Sequence, residues 1–153
     1  MTTTQAAAPT ITNAGTRPKT SHKLFVNIPV SDVQRSITFF ETLGFAFNPQ
    51  FTDATSTCML VGEDAYFMLL NKERFTGFAK GPIGDPRKQT SALFALSVES
   101  REAVDAMVRK AEAAGGAPAG DRQDHGFMYG WGFVDLDGHR FEVFWMDPKA
   151  IEG

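Results

Sequence analysis

A chain of 153 residues, 42% apolar and 22% charged, suits one domain or two small halves that share a core, and is too apolar for a disordered chain. Its net charge of −3 without any basic stripe argues against a nucleic-acid partner, because phosphate contacts require clustered Lys and Arg. The single cysteine, Cys58, excludes an internal disulfide, and no apolar run approaches the ~20 residues of a membrane span.

Residues 1–22 are rich in Thr and Ala and contain no acid. They lack the hydrophobic core of a secretory signal, and are expected to be a disordered leader or an arm laid on a partner subunit. A soluble, cytoplasmic protein without a membrane contact is the expectation. The folded part starts near Lys23. "KLFVNIPV" alternates and is β-rich, so it predicts a strand. In "SDVQRSITFFETLG", Ser31 and Gln34 have the spacing of a capping box. Val33, Ile37 and Phe40 recur at helical spacing, and Gly44 supplies a stop. "FAFNPQF", "STCMLVG" and "AYFMLLN" read as three short strands, the last two joined at Gly62–Asp64 by a tight turn.

Residues 72–90 form a long linker, expected to be a loop serving as a lid or a dimer contact, with Phe75 and Phe78 packing against something. The order then repeats. "SALFALSV" predicts a strand, and "ESREAVDAMVRKAEAAGG" a helix with Val104, Met107, Val108 and Ala111 on one face, ended by Gly115 and Gly116. "DHGFMYGWGFVDLDGHRFEVFWMD" predicts two strands joined at "DLDG". A shift of 68 residues lays Val26–Val30 over Phe94–Val98, and a shift of 74 lays Leu70 over Phe144. The pattern is an internal duplication of a β-α-β-β-β unit.

The capped "SDVQRSITFFETLGF" helix together with the final "DLDGHRFEVF" hairpin resembles the vicinal oxygen chelate superfamily of glyoxalases, bleomycin-resistance proteins and extradiol dioxygenases. The resemblance covers about residues 23–147. It implies an α+β fold of two tandem β-α-β-β-β units, 23–71 and 91–147, forming a curled, half-open mixed sheet around a central cleft with helices on the convex side. Residues 148–153 would be a C-terminal tail. It also implies four metal-ligand positions, on the first and last strand of each unit. These fall on Phe25, Met68, Leu93 and Glu142, and only Glu142 is of ligand type. A relocated divalent-metal site of His125 and Glu142 would have a poor set of donors, so no cofactor is expected.

Strand alternation places Arg140, Glu142, Phe144 and Met146 on one face of the last strand, and Phe141, Val143 and Trp145 on the other. The expected cleft therefore takes Phe25 and Asn27 from the first strand, Tyr66, Met68 and Leu70 from the fourth, and Leu93, Ala95 and Ser97 from the fifth. Tyr129, Trp131 and Phe144 would join them. A carboxylate in such surroundings needs a partner: Arg140 as an ion pair, or Asn27 or His125 by hydrogen bond. Of the other histidines, His22 points to the opposite face from Phe25, and His139 is expected to be solvated or capping in its turn. Three functional classes follow. One is a metal-free homodimeric binder of a small organic molecule. The second is an enzyme, either a metal-dependent lyase or dioxygenase with an unusual site, or an acid–base catalyst using Glu142 with His125 or Tyr129. The third is a structural or regulatory domain.

Overall fold

A computed structural model describes residues 6–150. Of the expected tails 1–22 and 148–153, residues 1–5 and 151–153 lie outside the described residues. Residues 6–22 are exposed and form no regular element, and 148–150 form a single 3-10 turn.

The chain is α+β and consists of two β-α-β-β-β units. The first contains β1 (Leu24–Val30), α1 (Val33–Thr42), β2 (Ala46–Asn48), β3 (Ser56–Leu60) and β4 (Ala65–Asn71). The second contains β5 (Leu93–Ser97), α3 (Arg101–Ala113), β6 (Ala117–Asp124), β7 (Met128–Val134) and β8 (Arg140–Met146). Each unit forms its own four-stranded mixed sheet, in the order β1-β4-β3-β2 and β5-β8-β7-β6, and neither sheet closes on itself. In both, the first strand runs parallel to the last, and the rest pair antiparallel. The neighbour of β1 in the sheet is thus β4, reached through the helix and two further strands, since a parallel pair requires a crossover connection.

Local chemistry explains the elements. Helix α1 starts one residue later than a capping box at Ser31 would have it: Asp32 is the N-cap, and its carboxylate accepts from Arg35 N at 3.0 Å. The Ser31 amide is used elsewhere, donating to Asp137 Oδ1. Val33, Phe39 and Phe40 are buried along the helix. Ser100 caps α3 through Ala103 N, and Val104, Val108 and Ala111 form its buried stripe. Part of the linker 72–90 is helical after all: α2 (Lys72–Ala79) is capped by Asn71 and closes at Lys80 in a left-handed conformation.

Strand β6 has no apolar alternation ("APAGDRQD") and is an exposed edge strand whose pairing with β7 slips between Ala119 and Gln123. Nothing in its side chains marks it as a strand. Its backbone satisfies β7, and that alone makes it one.

The two units share one core on their helix-bearing sides. Phe67 of β4 lies 5.0 Å from Phe94 of β5 and 5.7 Å from Phe141 of β8, while Phe40 of α1 lies 5.5 Å from Phe141. Phe39 reaches Phe133 at 6.2 Å. Were the sheets laid side by side through their β1 and β5 edges, β4 and β8 would be three strand spacings, about 14 Å, apart. The ring contacts therefore place the helix-bearing faces against each other, and the opposite, open faces look away from this core.

The units are fastened at the turn Asp135–His139. His139 is 7% exposed, not solvated as its place in a turn suggested, and its Nε2 donates to Pro29 O at 2.7 Å. Asp137 accepts from Ser31 N, so both bonds cross from unit two to the end of β1. Within the turn, Asp135 Oδ1 accepts from Asp137 N and His139 N. Burial raises the Asp135 carboxyl above its ordinary value, against a downward pull from His139.

Candidate functional site

The strand registers settle which side chains share a face. On sheet one, Phe25 pairs with Tyr66, and Asn27 with Met68. These residues stand on the open face, opposite Ile28, Val30, Phe67 and Leu69 in the core. Phe25 and Tyr66 stack with ring centroids 4.7 Å apart. Cys58 is buried opposite Met68, and burial raises its thiol. On sheet two, Leu93 pairs with Arg140, Ala95 with Glu142, and Ser97 with Phe144. Phe141 and Val143 alternate into the core. The predicted alternation of β8 is the one observed.

The four positions implied by resemblance divide into two pairs. Phe25 and Met68 belong to sheet one, and Leu93 and Glu142 to sheet two. Phe25 is 46% exposed and Leu93 59%, so a single chain does not enclose them in one pocket.

Glu142 is half-buried and lies across the bare backbone of β7. A Cβ on Gly132 would sit 3.0 Å from its Oε2, 3.0 Å from Phe141 O and 3.1 Å from Ala119 O. Gly132 pairs directly with Glu142, and Gly130 with Phe144. The two glycines keep the open face of sheet two hollow and let the carboxylate lie flat on it. Sequence reasoning missed them; the alternation "YGWGF" was the available signal, small on one face and aromatic on the other.

None of the expected partners meets Glu142. Arg140 forms no ion pair with it, and among the described residues its carboxylate takes part in no ion pair or side-chain hydrogen bond. Asn27 turns its amide to Phe25 O on the other sheet. His125 is exposed in the β6–β7 turn, where its amide donates to Met128 O. Met128 pairs with Met146, four residues along the strand from Glu142, so the backbone of His125 is displaced about 13 Å along the sheet from that of Glu142.

Tyr129 and Trp131 are on the helix-bearing face instead of in the cleft. Tyr129 Oη donates to Asp105 of α3 at 2.7 Å, and Trp131 Nε1 donates to Gly120 O. Arg109 and Arg122 stack over Trp131 at 5.0 and 4.0 Å, and Arg101 covers Tyr129 and Trp145 at 5.3 and 5.2 Å. These aromatics form a cation–π seam that seals α3 to its sheet. Because strand residues alternate, the bulky residues of "YGWGF" belong with Phe133 in the core, and the glycines face outward.

A divalent cation does not fit the open faces. Among the described residues no three His, Cys, Asp or Glu side chains come together to hold one. Phe25 and Leu93 have no donor atom, and the Met68 thioether is a poor match for the hard or borderline cations that carboxylates bind.

A family model described as Glyoxalase/Bleomycin resistance protein/Dioxygenase superfamily matches residues 23–143, most of the chain. The chain belongs to this superfamily. Among solved structures, the glyoxalase-superfamily chain resembles a hypothetical protein, SA1046, from S. aureus, with 26% identity and a TM-score of 0.70 over 82% of this chain and 95% of the other. It also resembles a glyoxalase/bleomycin resistance protein/dioxygenase family enzyme from Burkholderia phytofirmans (17% identity, TM-score 0.68, 80% and 96% covered). A third similar fold is the fosfomycin resistance protein FosX from Listeria monocytogenes (15% identity, TM-score 0.58, 88% and 98% covered). No curated protein matches it. Members of this superfamily often bind a metal, and among the described residues no group of three His, Cys, Asp or Glu is placed to hold one. Among the described residues, no helix is long and apolar enough to cross a membrane.

Proposed function

We propose that this protein binds a small organic molecule on the open faces of its sheets, as a homodimer and without a catalytic metal. The observation that carries the reading is Glu142: a half-buried carboxylate over Gly132, beside Phe144, with no protein partner among the described residues. Its oxygens are open to the solvent side of the face and free to take a partner from outside the chain. A ligand with an apolar body and a cationic or hydrogen-donating group supplies the missing partner. The exposed Phe25 and Leu93 support a second copy that covers the open faces and brings a Phe25–Met68 half opposite a Leu93–Glu142 half. A free, buried Cys58 suits a reducing, cytoplasmic setting.

The enzymatic alternatives have less support. A glyoxalase-type lyase needs a Lewis acid, and a non-haem dioxygenase needs two histidines and a carboxylate on its iron; the side chains present offer neither set. Acid–base catalysis by Glu142 needs a second proton carrier within about 3 Å of the substrate, and both His125 and Tyr129 lie elsewhere.

The test is titration of chelator-treated protein with an aromatic cation such as phenyltrimethylammonium. Saturable binding that falls about tenfold or more in Glu142→Gln, as loss of a charge-assisted contact demands, supports the proposal. Binding or turnover that appears only on adding nickel, zinc, iron or manganese refutes it.

A further inference from the structure

A second recess is built at the joint between the units. Residues 80–92 run as a strap from α2 to β5 across the Asp135–His139 turn. Arg87 clips the strap down, its Nη2 donating to Leu136 O at 2.6 Å. Gly138, at φ +95°, lets the strap approach: a Cβ there would lie 2.7 Å from Arg87 Cγ and 2.9 Å from its backbone N. Beneath the strap is a cavity of ≈ 180 Å³. Pro29, Phe75 and Phe94 give it flat apolar walls, and Gln89, His139 and Arg140 line it with polar groups. Glu142 is not among its lining residues.

Two of those polar residues have unused capacity. Pro29 O can only accept, so the His139 Nε2 that meets it carries the hydrogen. In the neutral ring Nδ1 is then an acceptor, and it has no hydrogen-bond partner among the described residues. Since no fully buried side-chain atom among them lacks a partner, Nδ1 is accessible although the residue is 7% exposed. Arg140 is half-buried and forms no ion pair among the described residues. A guanidinium presents a fork suited to a carboxylate, and an imidazole acceptor suits a hydroxyl or amine donor. The volume, ≈ 180 Å³, is slightly larger than the about 150 Å³ of a cavity known to hold benzene, which is room for one substituted ring.

We infer that this cavity is a binding site for a small hydroxylated aromatic carboxylate. The ring rests on Phe75, Phe94 and Pro29, the carboxylate meets Arg140, and the hydroxyl donates to His139 Nδ1. Arg140, at the start of β8, shares the strand face of Glu142 and is the one residue near both sites, so the ligand series and the His139 ring protons distinguish this cavity from the open-face site.

The experiment uses the intact chain and three probes: para-hydroxybenzoate, its neutral amide, and benzoate. Calorimetry should show one para-hydroxybenzoate per chain, with the ring protons of His139 shifting in NMR spectra. Replacing the acid by the amide, or Arg140 by Gln, should weaken binding about tenfold or more, the loss expected for a charge-assisted bond. Benzoate should bind about fivefold more weakly, for a neutral hydrogen bond. The ligand series requires no variant, so a folding defect cannot mask the result. No saturable binding, an amide as tight as the acid, an unchanged Arg140→Gln, or a silent His139 ring each overturns the assignment.

Discussion

Glu142 and Gly132 are partners across the β7–β8 ladder, and the carboxylate of one occupies the space that a side chain on the other would fill. A methyl group at position 132 would meet two backbone oxygens as well, and these cannot swing aside. Gly132→Ala is therefore expected to destabilise the fold by about 1–3 kcal/mol, the usual range for overpacking. It should also weaken any ligand that engages Glu142. Urea denaturation and the phenyltrimethylammonium titration measure the two effects. A stable Gly132→Ala variant with unchanged binding would show that the carboxylate does not need this seat.

The His139–Pro29 bond predicts a different signature. It lies in the joint between units, and His139→Ala removes the only side-chain hydrogen bond to Pro29 O among the described residues. Loss of the bond, exposure of an unpaired acceptor and the void left by the ring together should cost about 2–4 kcal/mol. His139→Gln keeps a donor on a side chain of similar reach and should recover part of it. Equal losses in both variants would place the contribution in packing alone.

Asp135 supplies the pH dependence. Its folded-state value is raised chiefly by burial, so the folded protein holds this proton more tightly than the unfolded chain does. For a raised carboxyl, stability increases as pH falls through the folded value toward the ordinary one, and the ionised group is a cost at neutral pH. Asp53 and Asp124 are lowered, by hydrogen bonds from Thr55 and from Arg101 respectively, and lose stabilisation at the more acidic end. The difference in unfolding free energy between the wild type and Asp135→Asn should therefore shift in favour of the wild type between neutral pH and the ordinary carboxylate range. Urea midpoints over that interval would show it. A constant difference would mean that the backbone bonds from Asp137 and His139 hold the carboxylate as well in the fold as water does in the unfolded chain.

Much of the fold was legible because periodicity records which face is buried. The alternation in "RFEVFW" put Phe141 and Val143 inward and Glu142 outward, and Val104, Val108 and Ala111 marked the buried stripe of α3. Strand β6 was not legible, since an exposed edge strand is held by its backbone alone. Tyr129 and Trp131 were misplaced because aromatic residues were read as cleft lining without carrying the alternation of β8 through the register to β7. His139 misled for a related reason: a turn residue is usually solvated, but this turn is pressed into the joint with unit one. Tertiary contacts of that kind leave no local periodicity.

The reassignment of Tyr129 has its own consequence. Its hydroxyl is bonded to Asp105 on the helix side, so Tyr129→Phe should lower stability by about 1 kcal/mol, the net value of one such bond, and leave ligand affinity at the open face unchanged. His125→Ala should leave that affinity unchanged too. A loss of binding in either variant would return the residue to the site and require sheet two to be engaged from its helix-bearing side.

The last prediction concerns the second copy. Phe25 and Leu93 stand on the open faces of the first strands of the two sheets and remain exposed, while the core-facing residues of the same strands, Ile28 and Leu96, are buried. Isolated apolar residues on a surface are ordinary, but a large one on the open face of the edge strand of each unclosed sheet marks faces that another surface covers. In a two-fold pairing one patch meets the other twice, so a single substitution acts at two places in the dimer. Leu93→Asp should therefore convert a dimer to a monomer in sedimentation velocity at micromolar concentration, with secondary structure retained because the residue contributes little to the core. Tyr66→Ala, which removes the ring stacked on Phe25, should weaken the dimer less. If the wild-type chain sediments as a monomer at every concentration and still binds the aromatic cation through Glu142, one open face suffices as the site and the Phe25–Met68 half has no part in it.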